Sequence, residues 1–197
     1  MFSLMQMERM GQTPDLGPVV VTGATGGVGS IAVLLFSRAG YEVVASTGKA
    51  SAEAYLRGLG AADVVDRRDL GAGARKPLDS ARWGGAVDSV GGSTLEAIVS
   101  QTNRHGNIAV CGLAGGSRLE TTVFPLILRG VSLLGIDSNA CPTPVREKAW
   151  KRLGQMLDLR TLDSLTETIA LGEVLQRSRE LLDGAVTGRT AVRLSGD

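Results

Sequence analysis

Residues 19–30 read VVVTGATGGVGS, and this stretch decides the fold. Val19, Val20, Val21 and Thr22 form a β-branched run that suits a buried strand. Four glycines follow within seven residues: Gly23, Gly26, Gly27 and Gly29. Then IAVLLFSRAG has helical composition and reaches Gly40, a residue suited to a helix C-terminus. Strand, tight turn and helix in that order is the context in which a glycine run carries chemistry. Glycine lets backbone approach a ligand closely, and a helix N-terminus favours anionic groups. The plain alternative is a glycine-rich turn without a ligand.

Outward from this stretch, β-branched runs and helical segments alternate. Strands are expected near 18–22, 41–46, 63–65, 85–90, 106–111 and 131–137. Helices are expected near 27–39, 51–58, 93–102, 122–129 and 144–158, and residues 67–77 read as a charged, glycine-rich loop. The pattern predicts an α/β fold: a Rossmann-type, doubly wound, six-stranded parallel sheet. Past residue 160 come a short strand, a helix near 172–183 and a final strand at 190–194, which read as appended to the sheet. The expected division is 1–16 as the end of a linker helix, 17–160 as the nucleotide-binding domain, and 161–197 as the remnant of a second domain.

Composition narrows the class. The chain has 197 residues, 43% hydrophobic and 21% charged, with formal net charge +1. That balance gives no footprint for nucleic acid or an anionic membrane. Cys111 and Cys141 have neither disulfide-framework nor zinc spacing, so a thiol-reduced, cytoplasmic protein is expected. No apolar run reaches the ~18 residues of a membrane span. The opening MFSLMQMERMG lacks a basic leader and a cleavage site, and reads as a short amphipathic helix.

Two dehydrogenase patterns compete for the glycines. Thr22, Gly23, Gly27 and Gly29 match TGxxxGxG of short-chain dehydrogenases, which need Tyr-x-x-x-Lys. Tyr41 is followed four residues on by Ala45 and Tyr55 by Leu59, so that pair is absent. Ala24, Gly26 and Gly29 fit AxGGVG instead. With YEVVASTGK, LGAADVV, GAVDSVGG, AVCGLAGG, TTVFPLILRGVSLLGIDS and GRTAVRL in order, the chain resembles zinc-independent medium-chain dehydrogenases/reductases. Within them it resembles the acryloyl-CoA reductases and the quinone oxidoreductases grouped with these.

Cofactor preference can be argued from residues. NAD-selective sites place a carboxylate about 20 residues past the glycines. Here the second strand ends Ser46, Thr47, Gly48, Lys49, which favours the 2′-phosphate of NADPH; a polar loop with a solvated lysine is the alternative.

The resemblance implies more. Thr25, Gly26, Gly27 and Val28 match the dinucleotide turn, and Thr47, Gly48 and Lys49 match a Ser-Gly-Arg phosphate grip. Arg67, Leu113, Ile127 and Ser138 match further cofactor contacts. Read without the family, Arg67 is equally a surface arginine and Ile127 a helical core residue. Asp183 or Gly184 stands where the family often has an asparagine against the cofactor. Cys111 reads as a small buried residue and His105 as a solvated turn residue.

The implied activity is NADPH-dependent hydride transfer to an activated C=C bond of a small molecule, without zinc, in a homodimer paired through strand 131–137. The family's N-terminal GroES-like domain has no counterpart in residues 1–197, and no catalytic residue is nominated among them. The second reading is a non-catalytic NADP(H)-binding module or gene fragment.

Overall fold

The computed structural model describes residues 1–71 and 76–194. Six strands form one parallel sheet: β1 (Val19–Val21), β2 (Val43–Thr47), β3 (Asp63–Asp66), β4 (Trp83–Asp88), β5 (Thr102–Val110) and β6 (Ser132–Gly135). Their order is β3-β2-β1-β4-β5-β6, with every pair parallel. The order reverses between β1 and β4, the switch point at which such sheets bind ligands.

Burial explains the central strands. β1, β2 and β4 are buried along their whole lengths, so apart from Asp88, whose carboxyl is hydrogen-bonded, their side chains are apolar or small on both faces. One core layer packs Val19, Val21, Val43 and Ala45 against Val33, Leu35 and Phe36. The opposite layer packs Val20, Ala86 and Ile108 against Leu95, Ile98 and Val99.

Helices α1 (Phe2–Arg9), α2 (Gly29–Arg38), α3 (Glu53–Gly58), α4 (Arg67–Gly71), α5 (Gly92–Gln101), α6 (Phe124–Arg129) and α7 (Thr143–Met156) accompany the sheet. α2 stops where the sequence says it should. Gly40 takes φ +86°, Gly40 N–H donates to Ser37 O, and Tyr41 N–H donates to Phe36 O at 3.0 Å. The Phe36 and Tyr41 rings, 5.3 Å apart, complete this glycine-terminated stop.

Several local readings are corrected. Residues 67–71 form α4 instead of a loop; 72–75, from the same expected loop, lie outside the described residues. β4 begins two residues early and ends at Asp88, because Asp88 accepts the N–H groups of Val90 (3.3 Å) and Gly91 (2.8 Å) and turns the chain out of the sheet. β5 begins at Thr102, ahead of the expected start, with an irregularity opposite Trp83–Gly85 and His105 at φ +62°. The helix expected over 144–158 ends at Met156, and α8 (Leu159–Ser164) starts anew, capped by the Asp158 carboxylate accepting from Thr161 N–H at 2.8 Å.

The C-terminal segment forms its own two-stranded parallel sheet, β7 (Thr166–Ala170) with β8 (Arg189–Arg193), joined through α9 (Val174–Leu182). The final strand therefore has a neighbour within the chain. On α9, Leu175, Leu181 and Leu182 are exposed.

Candidate active site

Four strand ends build the site. Thr22 leaves β1, Thr47 ends β2, Asp66 ends β3 and Asp88 ends β4, all at the carboxyl edge. Thr22 Oγ1 donates to the buried Asp88 Oδ1 at 2.7 Å. Ser89 answers with its backbone N–H to Thr22 Oγ1 and its hydroxyl to Thr22 O, both at 3.0 Å. The loop after β5 joins the same frame: Ala114 N–H donates to Ser89 O and Gly115 N–H to Val90 O at 2.7 Å. These bonds fix three loops around the switch point.

The glycines make the turn possible. Gly23 takes φ +57°, a conformation open to glycine at little cost. A Cβ on Gly29 would lie 2.2 Å from Gly23 O and 2.7 Å from Ala24 Cα, so only glycine lets α2 start this close to β1. The result is a cavity of about 520 Å³ at the switch point.

Thr25, Gly26, Thr47, Gly48, Lys49 and Arg67 line that cavity together, as six of the residues expected there. Asp183 and Gly184 line it too, at the place where the resemblance puts an asparagine. The others are spread. Gly27 faces the side chain of Arg189, whose Cδ lies 2.6 Å from where a Gly27 Cβ would be. Val28, Leu113 and Ile127 are exposed and outside the cavity lining. Ile127, 72% exposed, is no core residue: α6 turns Pro125 and Leu126 inward instead. Ser138 is exposed in the loop after β6, its carbonyl accepting from Arg146 at 2.9 Å. Its neighbours Asp137 and Ala140 line a second cleft, about 790 Å³, between α1, this loop and α7.

The polar groups near Gly48 divide by partner. Thr47 Oγ1 accepts from Lys49 N–H at 3.1 Å and lies 3.4 Å from Thr25 Oγ1, so this buried hydroxyl is engaged within the loop. Lys49 Nζ donates to Val186 O at 2.6 Å and to Thr187 Oγ1 at 3.1 Å. Burial lowers the Lys49 pKa. The Arg67 side chain lies over Gly48, with Nε 2.7 Å from a would-be Cβ.

Sequence reading missed a carboxylate beside this group. Asp66 on β3 pairs in register with Thr47. Arg68 grips it with Nε at 2.9 Å and Nη2 at 2.7 Å, and its bonds hold the carboxyl pKa at about 2. The tail residues Leu181, Val186, Thr187 and Arg189 were also missed, because their approach depends on chain folding across more than 130 positions. Cys111 is half-buried at the core's edge instead of fully buried: its thiol donates to Asp88 O at 3.3 Å, and partial burial raises its pKa. His105 is exposed. Among the described residues no three His, Cys, Asp or Glu side chains are grouped to hold a metal, and no helix is long and apolar enough to cross a membrane.

Comparison with known proteins agrees with this geometry. Residues 27–158 match the family described as zinc-binding dehydrogenase. YhfP of Bacillus subtilis, whose name provisionally assigns a quinone oxidoreductase, is 44% identical across 98% of this chain and 58% of its own length. Acrylyl-CoA reductase AcuI of Ruegeria pomeroyi is 41% identical, again over 98% and 58%. The crystal structure of Escherichia coli YhdH with bound NADPH superposes with a TM-score of 0.93 at 40% identity, covering 98% of this chain and 59% of that one. The structure of YhfP contains NAD and gives a TM-score of 0.91. This chain thus spans somewhat under two thirds of the relatives it matches. With its six-stranded sheet, its glycine turn and this family match in place, the chain belongs to the zinc-binding dehydrogenase family, within the medium-chain dehydrogenases/reductases.

Proposed function

We propose that this chain is the cofactor-binding part of an NADPH-dependent oxidoreductase that reduces an activated C=C bond in a small molecule of the acryloyl-CoA, enone or quinone type. The observation that carries the reading is the switch-point cavity with Lys49 and Arg67 beside Gly48, while the nearby Asp66 is held by Arg68. The residues fit the cofactor: the Gly23–Gly29 turn leaves room that any Cβ at Gly29 would remove, and the two cations suit a 2′-phosphate.

NADPH, when bound, supplies a hydride, and the chain's own residues bind and orient it. Thr25, Gly26, Gly27 and Val28 would hold the pyrophosphate, with the Arg189 side chain alongside Gly27. Thr47, Gly48, Lys49 and Arg67 would hold the adenosine end. Leu113, Ile127 and Ser138, exposed outside this cavity, would meet the nicotinamide end of the cofactor. Residues 17–160 form the NADP(H) domain, 1–16 end a linker helix, and 161–197 belong with a substrate-binding domain. The protein is a cytoplasmic homodimer paired through β6.

A non-catalytic NADP(H)-binding module is the second reading. It is favoured by the cavity's lining, which among the described residues holds one carboxylate, Asp183, and no tyrosine, histidine or cysteine.

Fluorescence titration of the chain with NADPH and with NADH tests the binding. Tighter NADPH binding, weakened by Lys49→Ala, supports the reading; a folded chain that binds neither overturns it. NADPH consumption with acryloyl-CoA, an enone and a quinone then separates enzyme from module.

A further inference from the structure

The loop that carries Lys49 and the C-terminal tail meet at one ammonium. Lys49 Nζ has three N–H donors, and the tail takes two of them through Val186 O and Thr187 Oγ1. Both acceptors are neutral, so they fix the ammonium's direction without cancelling its charge. Among the described residues, no carboxylate lies in ion-pair range of Lys49. The nearby carboxylate on β3, Asp66, is gripped by Arg68. The remaining N–H is left for an anion.

The same tail is anchored on the turn side. Gly188 N–H donates to Thr25 O at 2.8 Å, and Arg189 N–H donates to Leu165 O at 2.8 Å. Gly188, at φ +74°, would place a Cβ 2.5 Å from Leu165 O, so the chain passes closely between these elements. Thr187 is therefore not a loose loop residue reaching a surface lysine. It stands one residue before a buried glycine fixed to the dinucleotide turn.

We propose that Thr187 is a positioning residue for selection of a 2′-phosphorylated dinucleotide: with the Val186 carbonyl it holds the Lys49 ammonium toward the phosphate. A lysine lacks arginine's rigid fork and aims a point charge on a flexible stem, so an external hold supplies direction that the side chain lacks. Partial burial of Lys49 adds to the effect, because a desolvated cation gains more from an anion than a hydrated one does. The inference rests on the NADPH reading above.

The test uses the full chain with Thr187→Val and Thr187→Ser. Thr187 is exposed, so neither change disturbs a core, and circular dichroism checks the fold. Thr187→Val is expected to weaken NADPH binding about fivefold, the scale of one hydrogen bond, with NADH affinity unchanged. Thr187→Ser restores the preference, which loss of bulk structure would not allow. Equal weakening of both cofactors, unchanged NADPH affinity, or tighter NADPH binding by Thr187→Val overturns the proposal. If the unsubstituted chain binds NADPH no better than NADH, the cofactor reading itself fails; if it prefers NADPH and Thr187→Val keeps that preference, only the role of Thr187 fails.

Discussion

Thr22 Oγ1 donates a 2.7 Å hydrogen bond to the fully buried Asp88 carboxylate, tying the exit of β1 to the exit of β4 where the strand order reverses. Asp88 also accepts from Gly91 N–H, so one side chain holds both walls of the switch point. Asp88→Ala would leave the buried Thr22 hydroxyl and the Gly91 N–H without this acceptor. A stability loss of about 3 kcal/mol is expected by urea denaturation, on the scale of buried charged hydrogen bonds. Weaker dinucleotide binding should accompany it, because the loops at Ser89 and Ala114 share the frame.

Two glycines in helices should respond in opposite directions. A Cβ at Gly29 meets backbone at 2.2 Å, which cannot rotate away, so Gly29→Ala should destabilise by roughly 2 kcal/mol and abolish cofactor binding. A Cβ at Gly154 in α7 meets nothing within 4 Å. Gly154→Ala should raise stability by up to about 1 kcal/mol through helix propensity. Thermal melts of both variants check the contrast.

NADPH preference should fall as the solution turns alkaline. Burial lowers the Lys49 pKa, so the ammonium is lost in the folded protein below the ordinary lysine value of about 10.4. The folded state then binds this proton less tightly than the unfolded state, and the lysine's contribution to stability improves as pH rises through that window. Phosphate selection runs the other way, because it needs the charge. Titrations between neutral and alkaline pH should show NADPH affinity converging on NADH affinity, and Lys49→Met should show no such dependence.

Asp66 offers an electrostatic check. Its carboxyl is held at about 2 by hydrogen bonds from the Arg68 side chain and backbone, with further charge attraction from Arg68 and Arg67. Because the folded pKa is depressed, the stabilisation is present above the unfolded value of about 3.9 and is lost as pH falls through about 2. Arg68→Ala should move the pKa back toward the ordinary value, read by carboxyl NMR titration. The released carboxylate, in register with Thr47, should also weaken NADPH binding by repelling its phosphate.

Gly48 gives a milder test. A Cβ there would meet the Arg67 side chain at 2.7 Å, and that side chain can swing aside. Gly48→Ala should leave the melting temperature within about 2 °C, the scale of a surface change. NADPH affinity should fall with NADH affinity less affected.

The residue pattern alone specifies the parallel sheet, because strands buried on both faces must be apolar runs, and Val19–Val21 and Val43–Ala45 are. It also determined the glycine turn and the end of α2, since Gly29 and Gly40 meet local backbone demands within a few residues. The β4 boundary differed where a side chain redirected the chain, Asp88 ending the strand, and Asp158 capped a further short helix, α8, that was not expected. Read without the family, Ile127 would be a core residue, which its exposure contradicts, because the short helix α6 has too little length for its period to mark the buried face. Long-range folding, not local pattern, brings Lys49 to Val186 and Thr187, Arg189 over Gly27, and Asp66 beside Thr47. Local propensity acts across a few residues, whereas these contacts arise from strand order and the return of the tail, which bring together groups as far apart in sequence as Gly27 and Arg189.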